Sequence, residues 1–526
     1  MMSTRLLENL GEGNPQLVRE IKGRLTRRSV GIVLFLSAIS QCLIVGVSSQ
    51  RNCLGWSEEI VGGYCQQYET VIQWLLAFHS LSFILALLLF VGGVYLLSSD
   101  LVKEQRRGTL NFLRLSPRTS QNILLGKLLG VPVLLYLGLG LAIPLHLSCA
   151  IAAGVPLGWI FGFYAVIAAS ATFLYTASLL NALFVAEVQY QAIVSSALAG
   201  WLGSCLVSVI LYSVKWEYSE FNEFVFKWFF WEYQKTNYEI VFCWLFLSLV
   251  MGNYWIWQGL NRRFKNPNGT LLSKAQSYGL AASLQIWMLG LFYPWISPMA
   301  IQENLMPMML IVSILTVIMF LLIIPAISPQ RQTLLDWARY AHEKRRQGIK
   351  PPSSKWNDWI WGDKSPSVVA IAINLGMVAA IWIPWILLWH GSFEETFKAG
   401  IGLVMTLNLI WIYSAIAQSL YFIKFPKPGL LAMGMVMVTL SLPALVFTLF
   451  FKTISVNTTL WMMFVFGSPW FALTEASTMA TVLSFLGQVA AIAALTFTLN
   501  HQIHRAGASH SKLLFAANQS NLAPKV

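Results

Sequence analysis

Charge is scarce in this sequence. Only 11 % of its 526 residues are Asp, Glu, Lys or Arg, while 56 % are hydrophobic. A soluble domain carries about 25 % charged residues. A chain this poor in charge cannot cover an aqueous surface, so a string of soluble domains is excluded and most of the exterior must face lipid. The mean hydropathy of +0.62 agrees. Cysteine is sparse too, with six residues, which excludes a disulfide-dense scaffold. No Cys/His group has metal-ligand spacing. A phosphate-cradling loop is missing: the nearest match, Gly126-Lys127-Leu128, has neither the upstream glycine nor the terminal hydroxyl. No Ser/His/Asp set stands out, so the chain reads as a non-enzyme that binds no cofactor itself. No basic segment carries a nucleic-acid motif, so nucleic acid is not an expected partner.

What charge there is falls in clusters, and the gaps between clusters give the architecture. Uncharged stretches cover 29–50, 71–99, 128–186, 188–214, 240–261, 275–302, 304–330, 365–393, 399–423, 428–451, 453–474 and 476–504. A membrane-crossing helix needs about 20 apolar residues. The 128–186 stretch holds two spans with a turn at Gly154-Val155-Pro156. The 453–474 stretch opens on hydroxyl and amide residues and meets Ser468-Pro469, so it reads as re-entrant. The expectation is an all-α polytopic membrane protein with twelve spans. With the N-terminus in the cytoplasm, 29 of the 35 Lys and Arg residues fall on the cytoplasmic side. That bias predicts cytoplasmic termini in a bacterial inner membrane. The first 28 residues hold six basic residues and no leading apolar core, unlike a cleavable signal.

The spans divide into two parallel halves of one plan. A cytoplasmic amphipathic segment, 1–28, precedes a six-span unit, 29–260. A second six-span unit, 261–504, and a cytoplasmic tail, 505–526, follow. In each half a basic cytoplasmic segment joins the second and third spans, 100–127 and 331–364. An aromatic-rich external segment precedes each sixth span, 221–231 and 461–471. Such repeats about an axis along the membrane normal are common in transporters.

Few polar groups fall within the spans. His79 and His146 are expected to be hydrogen-bonded packing residues, and Lys127 is expected to snorkel to the interface. Cys53 and Cys65 share the first external loop, an oxidising side, and are the candidate disulfide pair. With no buried carboxylate in a span, coupling to an ion gradient is poorly supported. Two cytoplasmic segments look functional. Residues 15–28 place Leu17, Val18, Ile21 and Leu25 at helical spacing opposite basic residues, the pattern of a helix lying in the interface. Residues 104–117 place Leu110 and Leu113 on one side of a short helix, flanked by Arg107 and Arg114, a pattern that can lie on the membrane or fill a groove on a soluble partner.

Asn14-Pro15, Leu17 and Arg19-Glu20 resemble the elbow helix of ABC-2 type exporter permeases. Glu104, Gly108-Thr109-Leu110, Leu113 and Pro117, followed by Ile123 and Gly126-Lys127, are similar to that family's coupling segment. The resemblance covers residues 14–260; the second half lacks the coupling pattern. It implies an export permease that docks an ABC ATP-binding subunit, where ATP and Mg would bind. A second permease copy is a further candidate partner beside the lipid bilayer. It implies that Glu104, Arg107, Gly108, Thr109, Leu110 and Leu113 form the docking segment. In that role Leu110 and Leu113 are the anchors, Gly108 allows a sharp turn into the helix, and Glu104 with Arg107 orients the interface. Pro15, Arg19 and Glu20 belong to the elbow. Export of a hydrophobic or amphipathic compound is the family expectation. The rival readings are a twelve-span secondary transporter and a membrane-embedded enzyme or scaffold.

Overall fold

The computed structural model describes residues 12–56, 65–185, 190–215, 227–232, 238–296, 305–346, 355–425, 428–451, 470–473 and 476–522. The chain divides into two compact units. One comprises Met1–Phe226 and Glu232–Pro267; the other comprises Lys227–Trp231 and Asn268–Val526. The protein is an all-α polytopic membrane protein: among the described residues, ten helices are long and apolar enough to cross a bilayer. Their outward faces are apolar because lipid offers no hydrogen bonds.

The first unit opens with α1 (Pro15–Arg24). Asn14 caps it by accepting from the Leu17 amide, and Pro15 stands at its first turn, where no amide donor is needed. Then come α2 (Arg27–Val47) and a hairpin, β1 (Ser49–Trp56) with β2 (Cys65–Ile72). Its register pairs Cys53 with Tyr68 and Cys65 with Trp56. The expected disulfide concerns side chains outside those described. Next is α3 (Trp74–Arg106), which carries a π-helical turn at Leu88–Gly92. The Tyr175 hydroxyl donates to the Leu89 carbonyl there at 2.7 Å. The unit continues with α4 (Thr109–Arg114), α5 (Ser120–Gly130), α6 (Val133–Ala152), α7 (Leu157–Val185), α8 (Gln191–Lys215) and α9 (Tyr238–Lys265). Helix α2 packs on α6, α3 on α7, and α7 along α9.

The second unit contains α10 (Lys274–Phe292), α11 (Leu305–Ile327), α12 (Arg331–Arg346), α13 (Lys355–Trp361), α14 (Val368–Leu387), α15 (Phe393–Tyr421), α16 (Pro428–Phe451), α17 (Trp470–Leu473) and α18 (Thr478–Leu522). Helix α10 packs on α14, α11 on α15, and α15 along α18. These three pairings have counterparts in the first unit, but the fifth long helix differs: α8 packs on α3, whereas α16 packs on α15. Ten of the twelve expected spans coincide with the long apolar helices. The other two, at 275–302 and 428–451, are helical as α10 and α16, but α16 counts only as a shorter apolar helix, Leu431–Leu442, and α10 is not among them.

Two short strands between α8 and α9, Lys227–Trp228 and Trp231–Glu232, carry part of the first aromatic segment. Trp228 and Phe229 pack against α10. The Trp228 ring lies 4.6 Å from that of Trp287, its Nε1 donates to the Trp287 carbonyl, and the Phe229 amide donates to the Gly290 carbonyl at 2.8 Å. Gly290 leaves the space these rings occupy. The stretch 453–474 lies mostly outside the described residues. Trp470, at its end, is buried over Gly402 and donates to the Thr406 hydroxyl at 3.1 Å.

Candidate functional site

At the basic end of the first unit, α1, α3 and α5 meet through one ion cluster. The Lys127 ammonium on α5 is 1 % exposed. It lies 2.7 Å from Asp100 and 2.7 Å from Glu104, both in the last turns of α3, and 3.9 Å from Glu20 on α1. Arg24 bridges Asp100 at 2.8 Å and Glu20 at 3.1 Å. Arg19 reaches both Glu20 and Glu104 at 3.3 Å. Three carboxylates and three cations balance. The carboxylates of Glu20, Asp100 and Glu104 converge closely enough to suggest a metal site, but the lysine ammonium already supplies the cation there.

The expectation for Lys127 is therefore corrected: it does not snorkel outward but anchors the cluster. The reason is the path of α1. Gly126 and Gly130 form a groove on α5 into which α1 settles. A Cβ at Gly126 would lie 2.7 Å from the Asn14 side-chain oxygen, and one at Gly130 would lie 2.6 Å from the Glu20 Cβ. Small residues four apart permit such close helix approach. Asn14 Nδ2 adds a bond to the Asn122 carbonyl at 2.7 Å. The buried face of α1 carries Gln16 and Glu20, and Gln16 donates to Glu20 at 2.9 Å. Leu17, Val18, Ile21 and Leu25 remain half-exposed. Pro15 and Arg19 lie on exposed surface.

Helix α4 starts directly below this cluster. Gly108 has φ +75°, a left-handed conformation that glycine takes without strain. The Thr109 hydroxyl donates to the Glu104 carbonyl at 3.1 Å, tying α4 to the end of α3. Leu110 and Leu113 are buried, at 1 % and 8 % exposure, within the first unit's own core. The expectation that they form an outward ridge is overturned. The outward face carries Phe112, 78 % exposed, and Leu115, 86 % exposed. This short helix, with leucines on one side and Phe112 and the following residue Leu115 on the other, has two apolar faces. The core takes the leucines because α3 delivers α4 with that side inward. Arg107 is exposed and has no ion pair among the described residues. The resemblance brought Glu20, Arg19 and Glu104 to this site; Asp100, Arg24 and the central role of Lys127 were missed. The signal for Lys127 was the flanking pair Gly126 and Gly130.

A second buried lysine pins a helix in the other unit. Lys274, 1 % exposed, donates to the carbonyls of Trp359 at 2.7 Å and Pro366 at 3.1 Å and to the Ser365 hydroxyl at 2.6 Å. With Tyr278 donating to the Ile360 carbonyl at 2.7 Å, it fastens α13 to α10. Burial pushes the Lys274 ammonium down to about 8, against the pull of Asp363 and Asp358. Of the two intramembrane histidines, His146 is held between the Ser82 hydroxyl at 2.7 Å and the Tyr164 hydroxyl at 2.6 Å, a packing role.

No family model, curated protein or solved structure matches the chain.

Proposed function

We propose that this chain is the membrane-spanning permease subunit of an ATP-driven exporter. A separate ATP-binding subunit docks on α4 from the cytoplasm, and the cargo is hydrophobic or amphipathic. The observation that carries this reading is the face of α4. Phe112 and Leu115 stand free at the basic end of the unit, where a groove on a soluble partner can take two apolar anchors. Behind them the connection is stiff. Leu110 and Leu113 are set in the core, Thr109 holds the end of α3, and Glu104 passes the link through Lys127 and Arg19 to α1 and α5. A push on α4 therefore displaces the ends of three helices together. The basic bias of the same end supports a cytoplasmic location, and the three helix pairings that the two units share support a duplicated six-span plan.

The test is the double substitution Phe112→Asp with Leu115→Asp. Both side chains are exposed, so insertion and folding are expected to survive. Charges placed in the partner's apolar groove are expected to abolish association, because desolvating them unpaired costs several kcal/mol. Co-purification of the ATP-binding subunit reads the outcome. Full retention of that subunit, with ATP hydrolysis intact, would sink the proposal.

A further inference from the structure

Arg114 and Arg263 come together at the basic end of the first unit, and neither has a carboxylate partner among the described residues. The Arg114 guanidinium lies over the Phe264 ring, 5.6 Å from its centre, and Nη1 donates to Asn111 at 3.0 Å. Its Nε is shut off from water without an acceptor. Arg263, next to Phe264 in sequence, lies over the Phe184 ring at 4.5 Å. Arg114 thus meets α9 at the residue beside Arg263, which brings two like charges into one neighbourhood. Burial also pulls Arg114 below the ordinary arginine value. The carboxylates of Glu20, Asp100 and Glu104 are committed to Lys127, Arg19 and Arg24. Two like charges held together, partly desolvated and stacked on rings, are costly unless an anion joins them.

We propose that Arg114 and Arg263 form a binding site for the phosphate of an anionic lipid headgroup. Stacking on an aromatic face fixes the guanidinium plane and leaves its donor edge for a phosphate, which it matches in a two-pronged fork. The position selects lipid as the source. Phe184 ends the span Leu157–Phe184, is 50 % exposed, and offers its ring as the floor under Arg263. Arg263 lies in the last turn of the span Glu239–Lys265, which packs along α7. Ends of spans lie at headgroup depth, and basic pockets between such ends take anionic headgroups. The exposed side of Phe184 would then meet the upper part of an acyl chain. This inference rests on the membrane location of the chain and not on the identity of any ATP-binding partner.

Native mass spectrometry of the full chain in detergent tests it, with dioleoyl phosphatidylglycerol and dioleoyl phosphatidylcholine titrated in parallel. The wild-type chain is expected to retain phosphatidylglycerol selectively. Arg263→Gln is expected to weaken that binding about tenfold. Arg118→Gln, an exposed arginine near the same end, is expected to leave it unchanged. Arg263→Lys keeps the charge but loses the fork, so it should fall between the two. It serves as the measurement if the glutamine variant does not fold. Equal retention of the two lipids would overturn the site, as would equal effects of the Arg118 and Arg263 changes. Displacement of phosphatidylglycerol by millimolar inorganic phosphate would identify a free-anion site and overturn the lipid assignment. Loss of an ATP-binding subunit from Arg263→Gln with lipid retention unchanged would place a protein carboxylate there instead, which also overturns it.

Discussion

Lys127 shows how one side chain can hold three helices. Its ammonium is enclosed by carboxylates of α1 and α3, and removing it leaves three negative groups facing two arginines. Breaking a buried ion network by deleting one partner costs about 3–5 kcal/mol. Lys127→Met is therefore expected to lower the thermal midpoint of the detergent-solubilised chain, with α1 loosening first. An unchanged midpoint would show that the cluster is not structural. Leu110 belongs to the same argument. It is 1 % exposed, so Leu110→Ala is expected to cost about 2–5 kcal/mol of stability through the cavity it leaves. A charged residue at Leu110 would thus test folding and not docking, and for this reason the docking test belongs at Phe112 and Leu115. Lys274 makes a pH prediction. Its folded value is about 8 against an ordinary 10.5. Between those values the unfolded chain holds the extra proton, so stability rises as pH climbs through that window and is least below it. Lys274→Met should flatten the rise relative to wild type, as read by the denaturation midpoint across pH. A parallel rise in the two proteins would count against the buried lysine as its source.

At the scale of elements, the spans were legible and the faces of the amphipathic pieces were not. A stretch without charge long enough to cross hydrocarbon leaves the backbone little choice but a helix, and ten of the expected spans are such helices. Face assignment needs the neighbour. The apolar side of α1, with Leu17 and Ile21, signals burial, yet its polar side is buried because Gly126 and Gly130 open a groove and Lys127 waits beside it for Glu20. Likewise Leu110 and Leu113 share a face at three-residue spacing, but spacing does not say whether that face meets a partner or the core. Gly108 was legible because a sharp turn into a helix needs a residue free to take positive φ. The groove itself can be tested. Gly126→Val with Gly130→Val places branched side chains where the α1 backbone now lies, so α1 should detach. Hydrogen exchange of the amides of 15–24 is expected to accelerate while α6 and α7 keep their protection. Unaltered exchange in 15–24 would mean that the groove does not seat the helix.

At the scale of the whole molecule, the two units differ at the segment proposed for docking, which bears on the stoichiometry of the proposed complex. In the first unit α4 presents Phe112 and Leu115 to solvent. If the second unit repeats the plan of the first, the matching position is α12, after α11, and its surroundings differ. Leu334 and Ala338 are buried, and α12 packs along α18, with Gly507 close against the Ala338 carbonyl and His342. Helix α18 reaches it because 45 residues at about 1.5 Å each run well past the ~30 Å of a hydrocarbon core. The exposed positions of α12 are Gln332, Asp336, Tyr340 and Glu343, a stripe at helical spacing with one ring and two acids in place of apolar anchors. Helix α18 thus covers the Ala338 side of α12, and the side left exposed carries Tyr340 as its one ring among polar residues. If α4 is the docking helix, one chain offers one such surface. The resemblance implies a pair of ATP-binding subunits that close on each other, so on the proposed reading a working complex would require two copies of this chain. Mass measurement of the purified complex is expected to give two permease chains with two ATP-binding subunits. A single chain carrying two ATP-binding subunits would show that α12 docks as well, through its polar stripe. Substitution of Tyr340 by Asp would then remove one subunit and leave the other on Phe112 and Leu115.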